Sequence, residues 1–489
     1  MALALERNGA DLGLLTFIDI LMGIIGFLGI AYQVVCIVTG FFAKTVDYPD
    51  APADKHYCVL ISARNESKVI GNLITCIQHQ TYPNELIDIW VVADNCDDDT
   101  AEVCRRMGCH VVERFNKQQV GKGYALTYLL DNIQHSGAAK KYDAYIVFDA
   151  DNLLDKHYVA EMNKAFHAGF DALTSYRNSV NFSDNWVSSG SALWFVRESR
   201  FLNSSRHVFG TSCHVGGTGF LFSRKIMERN GGWKFHLLTE DLEFTMDTIM
   251  HGDKIGYCGK AMLYDEQPVT FAQSWRQRVR WSKGFLQVFR YYGSALIKYA
   301  IRERDFSAVD LSLMICPLTV LSLARVVLGA LFVAFGFVSA ASQLGALRFW
   351  VVTLVASVLG LMALAALTSI LERDKIGATN RELVAYCLSF PVYMLSYIPI
   401  SFAAIFSRSQ WKPIQHQGAS QEQLHEEFDG TVNASAVEGK VVEGKVAQDS
   451  DTEGSAAKDA AAADSATNGS ASKESAKAAA IAAIKEDAR

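Results

Sequence analysis

Four apolar blocks set around one long water-soluble stretch limit what this chain can fold into. Residues 13–42 (GLLTFIDILMGIIGFLGIAYQVVCIVTGFF) carry a single charge, Asp19. A bilayer core takes about 20 apolar residues of helix, so this block is long enough to cross. A cleaved leader has an apolar core of about 7–15 residues behind a basic start, whereas this chain opens with Glu6, Arg7 and Asp11. Further apolar blocks fall at 312–338, 348–371 and 384–406, the last two separated by Glu372, Arg373, Asp374 and Lys375. We expect one transmembrane helix at 13–42 and three within 310–406. Arg408 and Lys412 follow the last block. Basic flanks favour the cytoplasmic side, which sits awkwardly with one helix before the soluble stretch and three after it, so the side of the C-terminus stays open. Arg325 falls inside the second block. A charge at that depth faces protein or a water-filled path, either bonding neighbouring helices or lining a polar passage. Residues 284–304 (GFLQVFRYYGSALIKYAIRER) mix aromatics and cations and read as an amphipathic segment along the interface.

Composition fits a chain divided in this way. It is 50% hydrophobic and 20% charged, with a mean hydropathy of +0.11; that excludes a mostly disordered protein and a plain soluble enzyme. The net charge is -6, from 52 acids and 46 bases. Residues 418–489 hold 14 of those acids and 7 of the bases, leaving 38 against 39 elsewhere. No basic face for nucleic acid is expected. The same tail is Ala, Ser, Glu, Asp, Lys and Gly with one aromatic, Phe428, a low-complexity composition expected to be disordered. Ten cysteines lie scattered without a CxxC pair and read as reduced thiols.

Residues 43–283 read as an α/β domain. YCVLIS (57–62), IDIWVVAD (87–94), CHVVE (109–113) and AYIVFDADN (144–152) are strand-like, with helical stretches between them. Such alternation predicts a mostly parallel sheet with helices on both faces. Ligands then gather beyond the carboxyl ends of the strands, and here those ends carry Arg64 and Glu66, Asp94 and Asn95, and Asp149 and Asp151.

Several short motifs bear chemistry, each with a plainer reading beside it. FDADN sets Asp149 and Asp151 just past a buried strand. Carboxylates beside phosphate need a divalent cation between them, and Mg²⁺ or Mn²⁺ binds through such a pair plus phosphate oxygens; the plainer reading is a solvated turn. GKG (121–123) is not a P-loop, but Lys122 at a helix N-terminus suits an anion, if it is not only a capped surface turn. GGTG (216–219) reads as a tight turn into FLFS. In LLTEDLEF (237–244), Thr239 is a plausible cap, and Glu240 and Asp241 fall in the first helical turn. Acids there are favoured by the helix dipole, or they are a general base held at a site mouth. QRVRW (277–281) offers Gln277 and Arg280 to a diphosphate and Trp281 to a sugar face, or anchors a helix among lipid headgroups.

The order ARNE, AD, GKG, DAD, TED and QRVRW, flanked by membrane helices, resembles the processive membrane glycosyltransferases of family 2, which include cellulose, hyaluronan, chitin and poly-N-acetylglucosamine synthases. The resemblance covers about residues 55–285, and EQPVTF (266–271) is similar to the segment leading into QxxRW. It implies a Rossmann-like GT-A nucleotide-sugar domain on the cytoplasmic side of the plasma (inner) membrane in a multi-pass protein. It further implies that Arg64, Glu66, Asp94 and Lys122 meet the nucleotide, and that Asp149 and Asp151 hold donor and metal, Mg²⁺ or Mn²⁺. Asp241, with Glu240 beside it, would be the catalytic base. Gln277 and Arg280 would grip the diphosphate, and Trp281 would stack on the acceptor. The partners implied are a UDP-sugar, a polysaccharide or lipid-linked acceptor and the lipid bilayer, with no nucleic acid. The chain departs from cellulose synthases in having HVGGTGF (214–220) where they have a cysteine-containing acceptor motif, and in lacking a PilZ-like module. The expected activity is inverting transfer to a growing polysaccharide coupled to export. One alternative is a single transfer to a lipid acceptor; another is a transporter or receptor that only binds nucleotide or sugar.

Overall fold

The computed structural model describes residues 2–317, 320 and 340–407. Most of the apolar block at 312–338, with Arg325, and also Arg408, Lys412 and the tail at 418–489 lie outside the described residues. In chain order the elements are α1 (Ala2–Phe42), β1 (Tyr57–Ala63), α2 (Ile70–Gln78), β2 (Ile87–Asp94), α3 (Thr100–Arg106), β3 (His110–Arg114), α4 (Lys122–His135), β4 (Ala144–Asp149), β5 (Leu153–Leu154), α5 (Tyr158–His167) and β6 (Ala172–Ser179). There follow α6 (Trp186–Arg197), a π-helical turn (Glu198–Asn203), α7 (Ser204–Phe209), β7 (Phe220–Ser223), α8 (Arg224–Asn230), α9 (Glu240–Met250), β8 (Ile255–Asp265), α10 (Phe271–Glu303) and α11 (Phe306–Ile315). Helices Ala340–Leu371, Asn380–Leu395 and Tyr397–Phe406 complete the described chain.

The sheet forms because its central strands are apolar on both faces, as buried parallel strands must be. Successive side chains of a strand point to opposite faces, and β1 divides accordingly. Tyr57, Val59, Ile61 and Ala63 join a core built with α2, α3 and α5, while Cys58 and Leu60 join one built with α4 and α8. The eight strands run in the order β3-β2-β1-β4-β7-β6-β8-β5. The expectation of a mostly parallel sheet holds for β3, β2, β1 and β4. Beyond β4 the sheet is mixed: β7 runs antiparallel to both β4 and β6, and β5 antiparallel to β8. The Gly216–Gly219 turn explains β7. It starts the strand at the carboxyl ends of the parallel strands, with the Gly219 N–H donating to the Val147 carbonyl at 2.9 Å, so β7 can only run back down.

Among the described residues three stretches are long and apolar enough to cross a membrane: Ile20–Phe42, Val351–Leu371 and Asn380–Phe406. The first is the second half of α1, which begins well before the expected boundary at residue 13. The segment expected as separate at 284–304 is continuous with QRVRW in the single 33-residue helix α10. Between the sheet and the apolar helices lies a platform of α6, the π turn and α7. Asn185 starts α6 with a reciprocal capping box to Ser188, satisfying the free N–H groups of the first turn. Ala192 and Leu193 of α6 then pack with Ala365, Leu383 and Phe390 of the apolar helices. The charged linker after Leu371 docks on the domain: Tyr176 donates to Glu372 at 2.9 Å, and Arg200 lies 3.1 Å from the same carboxylate.

Candidate active site

Strand register brings the first acids together. Ala63 of β1 lies opposite Ala93 of β2, and Ser62 lies opposite Asp149 of β4. Asp94 and Asp149 therefore end the two strands that flank β1, at one rim. Just beyond the rim the backbone turns through left-handed residues, Asn65 at φ 58° and Asn95 at φ 55°, a conformation asparagine tolerates better than most residues. The buried Asp94 carboxylate accepts from Arg114 at 2.6 Å and from the Asn95 amide at 3.0 Å. Arg114, at the end of the edge strand, is a partner that no motif announces.

Lys122 begins α4 and reaches across the rim. Its ammonium donates to the Asp149 carboxylate and, at 2.7 Å, to the Gly217 carbonyl, so GKG, the first acid of DAD and GGTG meet at one amine. The glycines around it have separate reasons. Gly121 adopts φ 141°, and a Cβ on Gly123 would stand 2.1 Å from the Phe235 carbonyl oxygen. Thr218 accepts from the Asp149 N–H at 2.9 Å, fixing the loop that carries Asp149 and Asp151.

TED and QRVRW meet from the other side. Thr239 occupies the N-cap position of α9, but its side chain makes no capping bond, and its hydroxyl is buried without a partner; the expected cap is positional only. The reason is close packing, since a Cβ on Gly284 of α10 would stand 2.4 Å from Thr239 Cγ2. Burial raises the pKa of both Glu240 and Asp241, and the charge of Asp241 raises Glu240 further. Lys122 and Arg280 act against both shifts, and His214 also acts on Asp241. Gln277, Arg280 and Trp281 are spaced to share one face of α10. The Gln277 carbonyl oxygen is buried without a partner, Arg280 donates weakly to the Leu238 carbonyl at 3.4 Å, and Trp281 meets Phe195 edge-on at 5.9 Å.

One cavity of about 830 Å³ receives all of these groups: Arg64, Glu66, Asp94, Lys122, Asp149, Asp151, Glu240, Asp241, Gln277, Arg280 and Trp281 line it together. It extends past them to Ile30 and Gln33 of α1, to Leu313 and Ile315 of α11, and to Met394 and Tyr397 near the C-terminal apolar helices. Sequence reasoning missed Arg177, Asp265, Trp194, Phe195, Arg197, Glu198 and His214, which also line it. Arg177 clasps Asp265 through Nε at 2.7 Å, and Gln267 donates to the other carboxylate oxygen at 2.5 Å. Asp265 and Gln267 flank the first residue of EQPVTF, the one signal that pointed near them. Among the described residues no group of three or more His, Cys, Asp or Glu forms a self-contained metal site. Asp149 and Asp151 fit a divalent ion that takes its other ligands from diphosphate and water, the usual habit of Mg²⁺.

Residues 52–284 match the model of a family described as glycosyltransferase-like family 2. A β-monoglucosyldiacylglycerol synthase of Synechocystis is 27% identical over 256 residues, covering 51% of this chain and 50% of its own length. A poly-β-1,6-N-acetyl-D-glucosamine synthase of Staphylococcus epidermidis is 22% identical over 227 residues, 46% of this chain and 53% of its own. A mannosyltransferase from Pyrobaculum calidifontis, solved with GDP-Man and Mn²⁺, shares 14% identity at a TM-score of 0.48, covering 81% of this chain and 100% of that one. The chain thus spans about half the length of the curated relatives it matches. Over residues 52–284 the chain is therefore similar to glycosyltransferase-like family 2, on a Rossmann-like α/β sheet.

Proposed function

We propose that the protein is an inverting, membrane-bound glycosyltransferase that moves a sugar from a UDP-sugar to an acceptor entering from the apolar-helix end of the cavity. The observation that carries this reading is the single cavity: acids and bases from ARNE, AD, GKG, DAD, TED and QRVRW line one space that continues to Ile30, Leu313 and Met394. Asp241, whose pKa is raised by burial and held back by His214, Lys122 and Arg280, takes the proton of an acceptor hydroxyl. That oxygen bonds to the anomeric carbon on the face opposite the nucleoside diphosphate, whose bond breaks, and the centre inverts. Glu240 lies beside the base, and burial and the charge of Asp241 raise its pKa. Arg280 and Gln277 hold the diphosphate as its charge grows, and Lys122 is within reach of it at the N-terminus of α4. Arg64, Glu66 and Asp94 face the nucleoside. Asp149 and Asp151 would hold a divalent ion, Mg²⁺ or Mn²⁺, which would supply Lewis-acid neutralisation of the diphosphate charge. Trp281 offers its ring to the acceptor sugar.

Two acceptors are compatible with this chemistry. An elongating polysaccharide, exported as it grows, is supported by the Trp281 ring in the cavity wall and by the poly-N-acetylglucosamine synthase relative. A lipid-borne acceptor is supported by the apolar wall itself and by the glucosyldiacylglycerol synthase relative. We favour the lipid-borne acceptor, because side chains of helices long enough to cross a bilayer form part of the wall. In this reading the protein sits in the plasma membrane with its catalytic domain in the cytoplasm. The test is incubation of the purified full chain with a panel of UDP-sugars, Mg²⁺ or Mn²⁺ and membrane lipid, with released UDP and product mass read together. Sugar transferred to lipid in step with UDP release is the expected result. Long sugar polymers would favour elongation instead, and UDP binding without any transfer would leave only a binding protein.

A further inference from the structure

We infer that Arg197 is a phosphate-binding residue at the apolar-helix end of the cavity, where it anchors the acceptor; the inference rests on reading that cavity as the transferase site. Arg197 closes α6 where the helix passes into the π turn Glu198–Asn203, and such turns gather at functional sites. It is only 7% exposed, yet its side chain lines the cavity. One guanidinium nitrogen donates to Gln33 of α1 at a long 3.4 Å, and Nε has no partner at all. The group lies 4.2 Å over the ring of Trp194, which orients the fork without neutralising it. Among the described residues no carboxylate forms an ion pair with it.

The neighbouring charges are matched elsewhere. Glu198 lies 2.8 Å from His214, and Arg206 lies 2.7 Å from Asp310. Burial works to raise the Glu198 pKa, but His214, Arg197 and Arg206 hold it at about 2, so its negative charge persists and its oxygen is spent on His214. Burial pushes the Arg197 pKa down, although a guanidinium keeps its proton in proteins. A desolvated cation with an unbonded donor is costly unless an anion meets it. Arginine's planar fork matches phosphate in particular.

Position then says what carries the phosphate. Gln33, which bonds Arg197, lies one turn from Ile30 on α1, and Tyr397 packs on Trp194 at 6.0 Å; Ile30 and Tyr397 both line the cavity. His214, paired with Glu198 beside Arg197, lines the same cavity as Asp241. Arg197 thus has apolar-helix side chains next to it and shares its cavity with the base. An amphiphile whose phosphate rests on Arg197 has its chain against α1 and its polar end directed at Asp241. This describes an acceptor with phosphate placed between a lipid chain and the reacting hydroxyl.

The test uses the full chain in phosphatidylcholine nanodiscs, with dodecyl phosphate, dodecanol and inorganic phosphate as probes and calorimetry as the readout. Dodecyl phosphate should bind and dodecanol should not. Arg197→Gln should weaken dodecyl phosphate at least tenfold, with Arg197→Lys in between. Gln33→Glu, which keeps the arginine but hands it a carboxylate, should give the same loss. UDP binding unchanged in all three variants shows that the fold is intact. Dodecyl phosphate binding tighter than inorganic phosphate assigns the group to a lipid and upholds the acceptor anchor; equal binding assigns it to free phosphate and overturns that role. Equal binding of dodecyl phosphate and dodecanol, or undiminished binding in Arg197→Gln and Gln33→Glu, overturns it. Failure of the enzyme reading looks different: wild-type protein would bind dodecyl phosphate and still transfer no sugar from any UDP-sugar.

Discussion

The two ends of the cavity are built on opposite electrostatic plans. At the donor end acids already have cations: Asp94 pairs with Arg114, Asp149 with Lys122 and Asp265 with Arg177. At the apolar-helix end Arg197 has no ion pair among the described residues: it bonds only Gln33, lies on the face of Trp194, and feels Glu198, whose carboxylate contacts His214 instead, through space. The contrast suggests how one cavity could take two anionic partners without confusing them. A nucleoside diphosphate arriving with its own divalent ion suits a rim where negative charge is held and balanced. A singly anchored phosphate suits a guanidinium with unused donors in an apolar wall.

The sharpest way to break this contrast is at the base between the two ends. General-base help is worth about 10²–10⁴-fold, so Asp241→Asn should cut sugar transfer by that order while UDP binding, followed by calorimetry, stays near wild type. Near-normal turnover in this variant would take the base away from TED. Next in size, Asp151→Ala should abolish the part of donor binding that depends on Mn²⁺. A titration unchanged with and without the ion would assign the acids of DAD a purely structural role.

A smaller effect tests how the two halves of the site are held together. Gly284→Ala drives a methyl group to 2.4 Å from Thr239 Cγ2. Overpacking of this kind costs about 1–3 kcal/mol, and here it displaces the TED turn from QRVRW. Transfer should fall roughly tenfold, the lower part of that range in rate terms, with thermal melting lowered only slightly. Thr239→Ser in the same chain removes the clashing methyl and should recover part of the loss; no recovery would mean that the contact is incidental.

The smallest expected effect is a shift in pH dependence. A base must be ionised to work, and burial raises the pKa of Asp241. kcat/KM should therefore fall as pH drops through a value above the ordinary aspartate pKa of about 3.9. Burial and the charge of Asp241 push Glu240 up to about 7, so Glu240 takes up its proton before Asp241 does. Glu240→Gln should therefore leave the acid limb in place. A limb that moves down by about one unit would mean that the Glu240 charge bears on the base.

How much of this was legible in the sequence follows the same division. The donor end could be read because its residues sit in short motifs at strand ends, where the apolar runs of β1, β2 and β4 fix the register and so the rim. Lys122 was readable from a glycine pair before a helix, although its bond to Asp149 was not. The opposite end could not be read. Arg197 and Glu198 belong to no spaced motif and reach the cavity only because α6 and the π turn wedge between the sheet and α1; His214 opens HVGGTGF, but nothing in that segment announces its pairing with Glu198. Arg114 and Arg177 escaped for a related reason: an arginine within a strand looks like surface until the partner strand supplies the acid. Thr239 was legible as a cap from residue type alone, and tertiary packing against Gly284 overrode that local preference.

The most direct measurement for the account as a whole is transfer by the purified full chain in nanodiscs, from a radiolabelled UDP-sugar to a lipid-phosphate-linked sugar, compared between wild type and Asp241→Asn. We expect UDP release and labelled lipid to appear in equal amounts with wild type and to vanish together in the variant. UDP released by both proteins alike, with no label on any acceptor, would contradict a cavity that joins donor to acceptor.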